Sequence, residues 1–332
     1  MGPTPLILDV DTGIDDALAL LYACASPEVQ LIAATCVMGN VTVTQAVRNT
    51  LTVLELAERR EVEVAEGAAR PLVRVHEPFS VVHGPEGLGD VVPRPPSRPA
   101  SRRSAAALIA DVARERPGEV LLVATGPLTN VALAVAEEPE LPRLLRGFVL
   151  MGGAFARGGN TTPAAEANIW ADPDAAQAVF RAFSGGPEAK LPLCIGLDVT
   201  ERVIMTRGDL DAICEAAPES PVARFLREAV PHYMDFFATA RGLEGAFMHD
   251  PLAVASAIDP SLVTAQTTRV EVETEGRWTR GQTVADLLGL RGSPWPMGWE
   301  AEANARVALD VDERAFEDRL IARLRSLVEG RT

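Results

Sequence analysis

Residues 5–18 read Pro5-Leu6-Ile7-Leu8-Asp9-Val10-Asp11-Thr12-Gly13-Ile14-Asp15-Asp16-Ala17-Leu18. An apolar run ends in Asp9, four carboxylates fall within eight residues, and an Ala/Leu-rich helical pattern follows. Leu6, Ile7 and Leu8 predict a buried parallel strand. Gly13 is expected to permit a tight turn. Asp15 and Asp16 then fall at a helix start, where the helix dipole favours negative charge. Carboxylates at the carboxyl end of a strand in an open α/β sheet lie where such sheets bind ligands. A single Asp there is usually a helix cap or a solvated loop charge. Four, wedged between a buried strand and a buried helix, repel one another and call for a cation. An all-oxygen donor set suits a hard divalent ion, Ca²⁺ or Mg²⁺, better than zinc.

Working outward, the same strand–helix alternation continues. A helix over about Asp15 to Ala25 is followed by a strand, Leu31 to Val37, a helix over about Thr42 to Arg59, and a short strand at Val62–Ala65. Further strands are expected at Glu119–Ala124, Phe148–Met151 and Leu191–Gly196, with helices over about Ser104–Arg116 and Val222–Ala240. The fold class is therefore α/β: one domain over 1–332 with a mostly parallel, Rossmann-like doubly wound sheet flanked by helices. Alternation over Val263–Glu273, a bend at Trp278-Thr279-Arg280-Gly281 and a strand at Ala305–Val311 predict a small antiparallel addition near the C-terminus. A helix over about Glu313–Val328 closes the chain. Residues 70–103, rich in proline and holding His83-Gly84, read as a long loop, and such loops often carry function. Pro127 suits the first turn of the helix after Thr125-Gly126.

Composition narrows the function classes. A length of 332 residues with 47% hydrophobic content is enough for a large buried sheet, and a net charge of -15 argues against nucleic acid or an anionic membrane as the main partner. No apolar run is long enough to span a membrane, and nothing resembles a signal peptide. Cys24, Cys36, Cys194 and Cys214 are scattered through apolar contexts and predict reduced core thiols in a cytoplasmic protein. The loop Gly158 to Pro173 carries Asn160, Glu166 and Asn168, amide and carboxylate groups that together donate to and accept from hydroxyl-rich ligands. Asp172 reads as a plain cap for the next helix.

These motifs, taken together and in order, resemble the inosine–uridine preferring nucleoside hydrolases. The resemblance rests on Asp9-Val10-Asp11-Thr12-Gly13-Ile14-Asp15-Asp16, Gly39-Asn40, His83-Gly84, Ala124 to Asn130, Met151-Gly152-Gly153, Asn160 to Asn168 with Asp172-Pro173, His249-Asp250-Pro251 and the Trp278 stretch, and so covers nearly the whole chain. Thr12 stands where the family commonly has proline, which removes no ligand. The resemblance implies a Ca²⁺ ion held by Asp11, Asp16, the Thr125 carbonyl and Asp250. It implies that Asp15, Asn40 and Asn168 engage the ribose 2′- and 3′-hydroxyls, that Asn160 and Glu166 hold the 5′-hydroxyl, and that Met151 lines the sugar pocket. Asp11 would be the general base on a water held by the ion, with Asp9 as support. Cleavage of an N-glycosidic bond builds oxocarbenium character that such carboxylates stabilise.

His249 is the expected proton source for the leaving base, since an imidazole ordinarily titrates near neutrality, and His83 is a second expected contact to it. Tyr233, Phe236, Phe237, Phe247 and Phe79 are candidate stacking partners for the base, and Arg241 and Glu244 candidate readers of its edge. A homodimer or homotetramer follows from the resemblance. Two other readings compete. A Mg²⁺-dependent phosphohydrolase of the haloacid dehalogenase type also opens on a strand and Asp-x-Asp, but it needs a later Lys with an acidic pair, and the chain's only lysine, Lys190, has no such pair after it. A nucleoside-binding protein without turnover would not need the intact Asp11.

Overall fold

The computed structural model describes residues 2–75, 78, 80–93, 95–290 and 302–331. Along the first strand, β1 (Thr4–Val10), neighbouring side chains point to opposite faces. Leu6, Leu8 and Val10 enter one apolar core and Ile7 enters a second on the other face of the sheet. Both faces are covered, which is why the strand reads as an unbroken apolar run.

The remaining strands in chain order are β2 (Val29–Cys36), β3 (Glu63–Glu66), β4 (Leu121–Ala124), β5 (Gly147–Met151), β6 (Leu193–Ile195), β7 (Ile204–Met205), β8 (Ala246–Phe247), β9 (Val263–Thr268), β10 (Val270–Val272), β11 (Thr283–Ala285) and β12 (Ala305–Val311). The main sheet has the order β3-β2-β1-β4-β5-β6-β12-β9. Every pairing in it is parallel except β12 with β9 at the edge. β7 pairs with β8 and β10 with β11 as small antiparallel ribbons. The α/β class, the doubly wound order and the antiparallel addition are thus as the sequence predicts.

The chain winds from β1 to β3 in one direction and from β4 to β6 in the other. The switch lies between β1 and β4, and the loops after their carboxyl ends open a crevice there. The helix Ile14–Cys24, every residue of it buried, leaves this crevice directly after β1.

Three local expectations need correction. Gly13 has φ -90°, an angle open to any residue. What requires glycine is space: a Cβ would lie 2.8 Å from His83 Nδ1 and 2.9 Å from Asn40 Nδ2. Val263–Glu273 is not one strand. β9 stays in the main sheet, and after Thr268 the chain turns into β10, whose Val270 amide and carbonyl are both taken by the side chain of Asn304. Pro127 precedes the next helix, which starts at Thr129.

Asn130, buried in that helix, ties the sheet together at the crevice. Its Nδ2 donates to Asp9 Oδ1 at 2.7 Å and to the Cys36 carbonyl at 2.9 Å, and its Oδ1 accepts from the Ala68 amide at 2.8 Å. Asn130→Ala takes a partner from two buried acceptors, Asp9 Oδ1 and the Cys36 carbonyl, and from the part-buried Ala68 amide. We expect urea unfolding to show a loss of about 3 kcal/mol, against a much smaller change for an exposed control on the same helix such as Glu137→Ala.

Candidate active site

The crevice collects side chains from the segments after β1, β2, β3, β4 and β5, from the helix Pro221–Arg241 and from the start of the helix His249–Ile258. After β1, Asp16 acts as the N-terminal cap acceptor of its own helix: its Oδ2 takes the Gly13 amide at 2.9 Å and the Asn40 Nδ2 at 3.3 Å. Its Oδ1 takes the Thr125 hydroxyl at 2.8 Å and the Asp11 amide at 3.3 Å. Asp11 Oδ2 takes the Asn40 amide at 2.6 Å. This close approach is why residue 39 is glycine, since a Cβ there would lie 2.0 Å from Asp11 Oδ2. Asp15 accepts from the Tyr233 hydroxyl at 3.1 Å. Asp250 comes in at the start of the helix His249–Ile258.

Ligating oxygens of Asp15, Asp16 and Asp250 all lie within 4.8 Å of one another, and all three residues are buried. Asp11 borders this cluster through its bond to Asp16 and is itself buried, with its Oδ1 left without a hydrogen-bond partner. No Lys or Arg among the described residues forms an ion pair with any of these carboxylates; the nearest basic group is His83 Nδ1, 3.8 Å from Asp15. A buried, all-oxygen, acidic cluster with an orphaned carboxylate oxygen fits a hard divalent cation.

The electrostatics agree. Burial, above all, pushes Asp9 up to about 7 and Asp15 up to about 6. Burial and then the neighbouring Asp16 carry Asp11 well above the usual carboxylate range; burial and then Asp15 do the same to Asp250. Asp16 is raised by burial and by Asp15. Asp9 sits behind the cluster, its Oδ1 held by Thr35 and Asn130 and its Oδ2 unpartnered.

The cavity in front of the cluster has a volume of about 220 Å³. Asp15, Asn40, His83, Thr125, Met151, Asn160, Glu166, Asn168, His249 and Asp250 all line it; of the metal, ribose and catalytic residues that the sequence analysis named, Asp11 and Asp16 do not, and they join the site through the carboxylate cluster. Glu166 is fixed by the amides of Gly153, Asn168 and Ile169. Asn168 Nδ2 donates to the Thr125 carbonyl at 2.7 Å and to the Met151 carbonyl at 3.2 Å.

His83 accepts the Ile14 amide on Nδ1 at 3.2 Å and stacks on Tyr233, with ring centroids 5.2 Å apart. Burial lowers it to about 4. His249 Nδ1 lies 2.8 Å from the Thr200 hydroxyl, and burial lowers it to about 3. The near-neutral titration expected of His249 is therefore not its property in this site: the imidazole rests neutral there.

Of the aromatic candidates, Tyr233, Phe236 and Phe237 line the cavity, while Phe247 packs edge-on behind Phe237. Arg241 lines it and Glu244 is exposed outside it. Phe79 lies outside the described residues. Sequence reasoning missed Glu201, which lines the cavity, and Thr200, which anchors His249. Neither stands in a motif, and only the tertiary fold brings them here.

A sequence profile described as "Inosine-uridine preferring nucleoside hydrolase" matches residues 6–318. The chain is 40% identical over 323 residues to a protein named pyrimidine-specific ribonucleoside hydrolase RihA from Enterobacter sp. (strain 638), covering 96% of this chain and 97% of that one. It is 38% identical to the probable uridine nucleosidase 2 of Arabidopsis thaliana, covering 96% and 97%. Among solved structures it resembles a purine-preferring ribonucleoside hydrolase from Gardnerella vaginalis, with a TM-score of 0.89 and 35% identity over 98% of this chain and 99% of the other.

The raised carboxylates set the sign of a pH effect. The metal-free folded protein keeps protons that the unfolded chain would release, so its stability is fully present below the ordinary carboxylate range. It is lost as pH rises through about 6 to 7. A divalent cation favours the ionised forms and acts oppositely. Melting curves of chelator-treated protein should show Tm falling from pH 5 to pH 8, and added Ca²⁺ should raise Tm more at pH 8 than at pH 5.

Proposed function

The chain belongs to the inosine–uridine preferring nucleoside hydrolase family and is a ribonucleoside N-ribohydrolase, and on that premise we propose that it cleaves nucleosides by an inverting attack of water on C1′ over a Ca²⁺-binding carboxylate cluster. The single observation that carries this reading is the buried group Asp15, Asp16 and Asp250 with the orphaned Asp11 Oδ1 beside it and, among the described residues, no basic ion-pair partner but a neutral His83.

Asp11, Asp16, Asp250 and the Thr125 carbonyl would hold the ion; that carbonyl already accepts from Asn168 and keeps a second lone pair. Ca²⁺ bound there would offset the carboxylate charge, fix the ribose diol and acidify a water. Asp15, Asn40 and Asn168 bind the 2′- and 3′-hydroxyls. Asn160 and Glu166 hold the 5′-hydroxyl, and Met151 packs against the sugar. Asp11 takes the proton from the attacking water. As the C1′–N bond lengthens, positive charge gathers on the ribose and meets the carboxylates beneath it. One water is added across that bond, its hydroxyl to C1′ and its hydrogen to the base nitrogen. His83 and His249, both neutral, flank the leaving base as hydrogen-bonding groups.

Reduced thiols at Cys24, Cys36, Cys194 and Cys214, all buried and free, support a cytoplasmic setting. No helix among the described residues is long and apolar enough to cross a membrane. Assembly as a homodimer or homotetramer is part of this proposal and rests on the family resemblance.

Ribose release from uridine and inosine should require a divalent ion and stop on chelation. Asp11→Asn should lower kcat by about a hundredfold or more while the protein stays folded by circular dichroism. Full turnover by Asp11→Asn would remove it as the base. No ribose from any nucleoside with Ca²⁺ bound would leave the chain as a binding protein.

A further inference from the structure

The amino ends of the sheet strands, the rim opposite the carboxylates, hold a second cavity of about 310 Å³. Thr4, Leu121, Gly147 and Leu193 reach it from the starts of β1, β4, β5 and β6, and Arg306 from the start of β12. Strand register sets this row: Leu121 pairs with Gly147, and Leu193 with both Val149 and Arg306. Extended chain from Thr4 to Asp11 separates the two rims by about 20 Å. The last turn of the helix His249–Ile258 supplies Ser256 and Ile258 to the lining. No residue lines both this cavity and the one in front of the carboxylates.

Three polar side chains here are left without partners. Ser256 is fully buried, and its hydroxyl has no hydrogen-bond partner among the described residues. A serine inside a helix can return its hydroxyl to the carbonyl four residues back, and a buried hydroxyl that does not is costly. Arg306 is half-buried and Arg146 is exposed, and neither guanidinium makes a hydrogen bond or ion pair among the described residues. Their main chains are fixed: the Arg146 amide donates to the Val120 carbonyl at 2.8 Å and the Arg306 amide to the Pro192 carbonyl at 2.9 Å. The carboxylate in the lining, Glu28, is already held by Arg323. The helix end opposes an anion with its partial negative charge, but its Ala255 carbonyl is taken by the Asp259 amide at 2.8 Å. In a chain of net charge -15, a cavity with two unpaired guanidiniums is a local exception.

A guanidinium only donates, so these groups call for an acceptor with several oxygens. Two of them balance the charge of about -2 on a phosphate monoester better than the single charge of a carboxylate. A phosphate also has an oxygen to spare for the Ser256 hydroxyl. The remaining wall is mostly apolar, with Leu121, Phe148, Leu193, Ile258 and Pro260, and would cover an apolar or aromatic body.

We propose that this cavity binds a phosphate monoester with a compact apolar or aromatic body, its phosphate held by Arg306 and Arg146 and hydrogen-bonded to Ser256. The site goes beyond the nucleoside hydrolase reading and does not depend on it. An occupant cannot reach the carboxylates from this rim, so it binds as a second ligand and not as a substrate.

The test is calorimetric titration of phenyl phosphate into the full-length protein, with benzoate as the carboxylate counterpart and phenol as the uncharged one. Phenyl phosphate should bind one per chain with a Kd of about 1 mM or tighter. Benzoate should bind at least about tenfold more weakly, and phenol should not saturate. Arg306→Gln should weaken phenyl phosphate by about tenfold, and the more exposed Arg146→Gln by about threefold, with melting temperatures unchanged. Ser256→Ala should weaken it by about threefold and raise the melting temperature of the free protein, a sign that a mere packing defect would reverse. Asp16→Asn, altered at the other rim, should bind phenyl phosphate as the wild type does. No saturation by about 10 mM, equal affinity for benzoate, or binding that survives Arg306→Gln would overturn the assignment. So would binding lost in Asp16→Asn, which would put the phosphate in the carboxylate site.

Discussion

Asp11, Asp15, Asp16 and Asp250 are gathered around one point, buried, with Asp9 behind them and no arginine or lysine in ion-pair reach among the described residues. Bringing like charges together out of water costs more than any hydrogen bond in the site returns. The fold tolerates this cost because a divalent cation can offset it, and much of the surrounding architecture serves to deliver the cluster. β1 carries the first four carboxylates to the switch point of the sheet. The helix Ile14–Cys24 holds Asp16 as its cap, and the fully packed helix His249–Ile258 presents Asp250 from the opposite side.

The supporting groups follow from the same constraint. Gly13 and Gly39 are small because neighbours of the carboxylates occupy the space that a Cβ would take. Asn130 and Thr35 hold Asp9 so that it braces β1 rather than joining the cluster. Burial lowers His83 to about 4 and His249 to about 3, so neither adds a cation to the cluster near neutral pH. Among the described residues Arg241 is the one Lys or Arg that lines the cavity.

Much of this was legible in the residues. The apolar run Leu6-Ile7-Leu8 followed by clustered Asp placed both the parallel sheet and the acidic crevice at its carboxyl end, because a strand buried on both faces and a turn dense in carboxylates each leave a local signature. The split of Val263–Glu273 into β9 and β10 was not legible, since period-two alternation continues through the bend and the bridging Asn304 lies 34 residues from Val270. The ring of groups around the base end was equally hidden. Tyr233 meets Asp15 across 218 residues, and the pairing of Glu201 with Arg157 and Arg241 depends on how three separate segments fold together. His249 was found by its neighbour Asp250, but its neutral state depends on burial that its local sequence does not record.

The account stands or falls on the cation. The most direct measurement is calorimetric titration of Ca²⁺ into chelator-treated protein near pH 7.5, for the wild type and for Asp16→Asn. The account predicts one ion per chain in the wild type, with protons released on binding, and binding weakened by at least about tenfold in the variant. A folded wild-type protein that takes up neither Ca²⁺ nor Mg²⁺, and still releases ribose from uridine, would contradict it.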